Sequence, residues 1–201
     1  MTSRRTFILG ACGAGLGLAV AGCGGSGGAA PALTYSGEYR TVALAAALEN
    51  QAVAVYRRLL AAAHAGKLGP AAPALLSLAR TSLEQHAQHA QAWNAVLRAG
   101  HRPGVTGIPL ASHSSVQREL MSAATVGAAA ALAYRLENEA AQTYARAAGT
   151  LTSRAGIVAA VSIAPVEAMH AAVLAFLIGE DPARESAVGT SAAVPVSELT
   201  A

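Results

Sequence analysis

The stretch LENQAVAVYRR at residues 48–58 recurs later in the chain as LENEAAQTYAR at residues 136–146. The two stretches share Leu, Glu, Asn, Ala, Tyr and the final Arg at equivalent positions, which is more than chance similarity provides. A shorter pair, HAQHA at residues 86–90 and EAMHA at residues 167–171, follows each of them. We therefore interpret the chain as a duplicated pair of helices.

Hydrophobic periodicity and helix-breaking residues predict four helices and no β-strands. Gly66, Gly100, Gly149 and Gly179 follow the four predicted helix ends. Ser114 and Gln117 have the spacing of a capping box before the third helix. The predicted helices span residues 37–65, 71–99, 115–148 and 153–178.

The lengths of the connections predict how these helices are arranged. Residues 66–70 and 150–152 form short links, so the first and second helices, and the third and fourth, should be antiparallel neighbours. Residues 101–113 can extend over about 40 Å, roughly the length of a 26-residue helix. Two helical hairpins joined by one long crossover form a ferritin-like four-helix bundle, which we predict for residues 37–181.

The N-terminal residues 1–22 are typical of an export signal. Arg4 and Arg5 precede a glycine-rich apolar stretch that ends before Cys23, and the pattern resembles a twin-arginine signal peptide with a lipoprotein cleavage site. We expect an acylated Cys23, a flexible tether over residues 23–36 and a lipid anchor on the outer face of the cytoplasmic membrane. Cys12 follows too short an apolar run to be the acceptor.

Composition excludes several classes of protein. Hydrophobic residues make up 53% of the 201 residues and charged residues 12%, which excludes a disordered chain, and two cysteines exclude a disulfide scaffold. The net charge of +3 falls to +1 without Arg4 and Arg5, which leaves no basic surface for nucleic acid. The mature chain shows no nucleophile motif, phosphate loop or dinucleotide fingerprint. We expect residues 182–201 to be a disordered tail.

Helical-wheel positions indicate which polar residues face the core. Glu49 and Glu137 lie on the apolar faces of the first and third helices, whereas Gln51, Arg58 and Glu139 point away from them. On the second helix His86 and His89 face the core and Glu84 faces water.

The fourth predicted helix places two ionisable side chains in an otherwise apolar segment. Between Ile157 and Ile178 its polar side chains are only Ser162, Glu167 and His170. Burying a carboxylate costs several kcal/mol unless it is protonated, paired or metal-bound, and residues at i and i+3 share one face of a helix. A Glu–His hydrogen bond without metal and a membrane-spanning helix are the alternatives for this segment.

Glu on the first and third helices and Glu-x-x-His on the second and fourth is the ligand pattern of ferritin-like carboxylate proteins. The segment 157–179 also resembles the last helix of exported bacterial ferritin-like domain proteins. The resemblance departs at His86, where the pattern has a bridging Glu. The resemblance and the helical-wheel positions together give six candidate metal ligands: Glu49, His86, His89, Glu137, Glu167 and His170.

Mixed imidazole and carboxylate ligands favour iron or manganese, with zinc as an alternative. The His86 departure leaves open a lopsided dinuclear site, a single ion or a bundle that has abandoned redox chemistry. Tyr56 and Tyr144 are either hydrogen-bond partners of the ligands or ordinary core residues. We interpret three further histidines as surface residues: His64, His101 and His113.

Three functions remain open at this stage. The first is a membrane-tethered metal protein that binds or oxidises a metal ion or handles peroxide. The second is a metal-free interaction or structural lipoprotein, and the third is a lipoprotein that binds a small ligand. Protein partners are undefined, with a homodimer as one arrangement.

Overall fold

The computed structural model describes residues 35–183 and 187–201. The predicted signal peptide and Cys23 lie outside the described residues, and so does the predicted tether up to residue 34. The described part is helical, with an isolated β-bridge and no strand, which confirms the all-α prediction. The elements are α1 (Glu38–His64), α2 (Pro73–Ala99), α3 (His113–Ser122), α4 (Val126–Thr150), α5 (Arg154–Ile178) and a 3₁₀ helix, η1 (Val196–Glu198).

Four of these helices form a bundle of two hairpins. The α1 helix packs most extensively on α2, and α4 packs most extensively on α5. The hairpins meet through α1 with α4 and α2 with α5. Gly179 ends α5 in the left-handed conformation at φ 83°, and its N–H bonds the carbonyls of the last turn. The pairing of the helices into two hairpins is the arrangement that the lengths of the connections predicted.

The predicted third helix, 115–148, is in fact two helices. Residues 123–125 separate α3 from α4, because the Thr125 hydroxyl accepts a hydrogen bond from the backbone N–H of Ala128 at 3.1 Å and so caps a new helix. The expected capping box is also wrong, since α3 begins at His113 and places Ser114 inside its first turn.

The C-terminal residues 192–201 pack against the rest of the described chain, so the prediction of a disordered tail over residues 182–201 is wrong for this part. Leu199 is 4% exposed and pairs with Leu110 of the crossover in an isolated antiparallel bridge. The Glu198 carboxylate accepts a hydrogen bond from the backbone N–H of Ser112 at 3.0 Å. These partners lie far away in sequence, and local composition does not reveal them.

The core consists of two apolar clusters with a polar layer between them. One cluster surrounds Trp93 and Tyr144, and the other surrounds Leu132 and Leu174. On each of the four bundle helices, the candidate ligands lie between residues of the first cluster and residues of the second. The apolar clusters therefore enclose the polar centre from both ends.

Gln51 is 2% exposed, and the wheel prediction that it points away from the core is wrong. A helical wheel identifies only the main apolar face of a helix. Gln51 is buried because it lines a narrow cavity between α1 and α4, which the wheel does not show.

Among the described helices, α5 alone is long and apolar enough to cross a membrane by length and composition. Core helices pass the same test, and Glu167 and His170 of α5 face the bundle interior.

The outward side of α5 carries a stripe of exposed apolar side chains, a feature of surfaces that contact partners or membranes. The stripe includes Val158, Val161, Met169, Val173 and Phe176. The homodimer that the sequence analysis considered stays a prediction.

We expect Leu199→Ala to destabilise the protein by about 2 kcal/mol, because the substitution leaves a cavity against the crossover. Urea denaturation of the purified protein measures this change. Val188→Ala is the matched control, since Val188 belongs to the same tail and is 45% exposed. Equal midpoints for the two variants would show that the tail does not stabilise the bundle.

Candidate metal centre

All six predicted ligands meet in the centre of the bundle. Glu49 comes from α1, two histidines from α2, Glu137 from α4, and Glu167 with His170 from α5. Five of the six are fully buried, and His89 is 13% exposed. The inward wheel positions of these residues correspond to their burial in the structure.

The six residues form two overlapping groups that could each hold a metal ion. Set A consists of Glu49, His86, His89 and Glu167, and set B consists of His86, Glu137, Glu167 and His170. Within each set, one ligand atom per residue lies within 4.8 Å of the others. His86 and Glu167 belong to both sets.

In set A the imidazoles of α2 face the carboxylates of α1 and α5. His86 Nδ1 lies 2.8 Å from Glu49 Oε2. His89 Nδ1 lies 2.6 Å from Glu167 Oε1 and 3.8 Å from Glu49 Oε1.

In set B the carboxylate of α4 lies between two imidazoles. His86 Nε2 is 3.0 Å from Glu137 Oε1, and His170 Nδ1 is 3.5 Å from Glu137 Oε2. His170 Nδ1 is also 3.5 Å from Glu167 Oε2.

Many of these atoms are close together without forming hydrogen bonds. An unsatisfied buried polar group costs about 1–3 kcal/mol, so such atoms are rarely left without a partner. A cation bound between them would satisfy them at once, and the donor set therefore fits a transition-metal ion. The site atoms without a hydrogen-bond partner among the described residues are Glu49 Oε1, His89 Nδ1, Glu137 Oε2, Glu167 Oε1, Glu167 Oε2 and His170 Nδ1.

Without metal, the carboxylates and imidazoles hold each other in the charged form. Burial by itself would lower the pKa of His86, but the charge of Glu137 and hydrogen bonds to Glu137 and Glu49 hold this pKa well above its ordinary value. Burial would likewise raise the pKa values of Glu49 and Glu137, yet the neighbouring histidines lower both.

The other three groups titrate closer to neutral pH. Burial opposes protonation of His89 and His170, but the nearby glutamate carboxylates raise both pKa values to about 9. Burial and the charge of Glu49 raise the pKa of Glu167 to about 7, against the effect of His170.

Tyr56 is a hydrogen-bond partner of the site, which was one of the two alternatives for it. Its hydroxyl donates to Glu137 Oε1 across the α1–α4 interface. Burial raises the pKa of Tyr56, and the charge of Glu137 raises it further, so the phenol keeps its proton. Tyr144 donates to the carbonyl of Ala45 at 3.4 Å, and burial together with the charge of Glu49 raises the pKa of its phenol.

Gln85 is a site residue that the sequence interpretation missed. Its Oε1 accepts a hydrogen bond from His170 Nε2 at 2.7 Å, which leaves His170 Nδ1 to face the carboxylates. Such outer contacts fix the orientation of a metal-binding imidazole. On the wheel with Glu84 at 0°, Gln85 lies at about 100°, next to the core-facing arc, and this is the signal that could have found it.

Three histidines and two glutamates lie away from the ligand sets, and the prediction of a surface position is wrong for His113. His64 and His101 are exposed and His113 is half-buried. Glu84 is exposed, and Glu139 is partly exposed and pairs with Arg135 at 3.2 Å.

The profile of the ferritin-like domain family matches residues 37–180. The chain belongs to this family. Neither the curated proteins nor the solved structures give a match to the chain. In this ferritin-like domain the matched region contains all six candidate ligands and Gln85.

We expect metal affinity to rise with pH. At pH 7 the metal-free site holds protons on His89 and His170, whose pKa values are about 9, and an ion that binds their Nδ1 atoms must displace these protons. Between pH 6.5 and 8.5, the apparent Kd for Mn²⁺ should fall about tenfold per pH unit for each displaced proton. Isothermal titration calorimetry checks this, and a Kd independent of pH would contradict it.

Proposed function

We propose that this ferritin-like domain binds one or two transition-metal ions in the bundle centre, iron or manganese in the first place and zinc as the alternative. The observation that carries the proposal is the convergence of buried carboxylate and imidazole atoms that lack hydrogen-bond partners among the described residues. Ferritin-like domains often bind iron, which supports the same choice.

The surrounding residues suit a metal site with redox chemistry on the metal ion or on peroxide. Bound iron or manganese would supply one-electron chemistry. Tyr56 holds a proton next to Glu137 Oε1, and Gln85 orients His170. His89 is the only ligand that is more than 2% exposed, so solutes would reach the site from its side.

A metal-free structural or interaction lipoprotein is the second candidate, and one contact favours it. The His86 ring lies between Glu49 and Glu137 and bonds a carboxylate through each nitrogen. An imidazolium in this place would donate one N–H to each carboxylate without any metal, and its single positive charge would offset one of their two negative charges.

Elemental analysis of the purified protein tests metal binding. We expect stoichiometric iron or manganese in the wild type and a loss of at least nine-tenths of it in Glu167→Gln, because Glu167 belongs to both ligand sets. Glu84→Gln, which changes an exposed glutamate, is the matched control and should keep its metal.

Two results would contradict the proposal. Equal metal content in Glu167→Gln and Glu84→Gln would show that the metal is not bound at this site. A wild type without metal, whose unfolding temperature does not change on adding iron, manganese or zinc, would favour the metal-free lipoprotein.

We propose further that the mature protein is exported and lipid-anchored to the outer face of the cytoplasmic membrane. The support is in the sequence alone: Arg4 and Arg5 precede an apolar stretch that ends at Cys23. A tether of residues 23–36 would then connect the lipid to the bundle.

Labelling of the expressing cells with radioactive palmitate tests this anchor. The wild type and Cys12→Ala should incorporate the label, and Cys23→Ala should not, because Cys23 is the proposed acceptor. Label retained in Cys23→Ala would rule out this lipid attachment.

A further inference from the structure

We infer that the His86 ring bridges two metal ions, with Nδ1 binding the ion of set A and Nε2 the ion of set B. The inference rests on the proposed function and deepens it, because it assigns two ions and a role to the residue that departs from the family pattern.

The two nitrogens of His86 face different ligand sets. Nδ1 lies 2.8 Å from Glu49 Oε2, and Glu49 belongs to set A alone. Nε2 lies 3.0 Å from Glu137 Oε1, and Glu137 belongs to set B alone. The ring therefore spans the gap between the sets in the way that a bridging ligand must.

His170 provides an internal comparison. Its Nε2 is hydrogen-bonded to Gln85, so only Nδ1 is directed at the carboxylates. His86 has no such outer partner among the described residues, since its two ring nitrogens both bond ligand carboxylates. One histidine is thus oriented as a terminal ligand and the other as a bridge.

Glu167, the other shared residue, also reaches both sets. Its Oε1 lies 2.6 Å from His89 of set A, and its Oε2 lies 3.5 Å from His170 of set B and 3.7 Å from His86 Nδ1. His86 and Glu167 are also equivalent positions of the duplicated stretches 86–90 and 167–171. The duplication places two bridging residues opposite one another, one imidazole and one carboxylate.

Aromatic neighbours fix the plane of the His86 ring. Tyr56 stacks on it with ring centres 5.3 Å apart and an interplanar angle of 29°. The rings of His89 and His170 approach it edge-on at 6.1 and 5.5 Å. A ring held on three sides keeps its two nitrogens aimed at the two sets.

Charge balance in the buried centre favours the same assignment. Two divalent ions bring four positive charges, which three glutamate carboxylates and one imidazolate neutralise. A neutral centre matters here because burying a net charge in an apolar interior is costly. Binding of both ions to one ring releases its two N–H protons to solvent, and no oxidant or reductant is needed.

Nuclear magnetic resonance of protein labelled with ¹⁵N-histidine tests the bridge, with Zn²⁺ as a diamagnetic probe. At two equivalents of Zn²⁺, we expect both ring nitrogens of His86 to show metal-bound shifts and to lack N–H protons. His170 should keep its Nε2–H, because Gln85 accepts it. His86→Gln identifies the His86 signals by their loss, and the exposed His64 is the unaffected control.

Stoichiometry provides the second measurement. The wild type and His86→Glu, which restores the family pattern, should bind two Zn²⁺ per chain, whereas His86→Gln should bind one at most. Circular dichroism establishes that each variant is helical before the titration.

The outcomes separate this inference from the proposed function. A single Zn²⁺ per chain, or a ring N–H that persists on His86 at two equivalents, overturns the bridge and leaves metal binding intact. A wild type that binds no Zn²⁺, Mn²⁺ or Fe²⁺ overturns both.

Discussion

The burial of three carboxylates and three imidazoles between two apolar clusters is the constraint on which the rest of this structure depends. No single one of these groups could remain charged there alone, because the cost of an unpaired buried charge is several kcal/mol. Each helix of the bundle must therefore deliver its ligand to the same level, and the hairpin register follows from this requirement. The polar layer thus fixes the register of the helices relative to one another, which apolar packing by alanine and leucine alone would not do.

Most of the fold and the inner ligands could be predicted from the sequence because they follow from local rules. A period of 3.6 residues defines the apolar face of a helix, so Glu49, Glu137 and His86 stand out on faces that are otherwise apolar. The duplication adds a second, independent indication of the same positions. Short links then permit only antiparallel hairpins.

What the sequence could not supply depends on contacts between distant residues. Leu199 packs on a crossover segment about 90 residues earlier, and no local pattern marks that contact. Gln85 lies at the edge of the wheel's core-facing arc, and its role emerges only when α5 brings His170 against it. Thr125 begins a new helix inside an uninterrupted periodic stretch, because a side-chain cap competes with helix continuation.

The structure changes the interpretation of His86, the residue that departs from the family pattern. Considered as a list of ligands, His86 in place of Glu removes a carboxylate and suggests a weakened site. In the structure the ring occupies the position between Glu49 and Glu137 and presents a nitrogen to each. Two donor atoms are common to an imidazole ring and a carboxylate, and an imidazolium that loses both N–H protons also has the charge of a carboxylate. If His86 bridges two ions as we infer, the substitution would preserve these two properties of a buried bridging ligand and would change the chemistry of the bridge rather than abolish it.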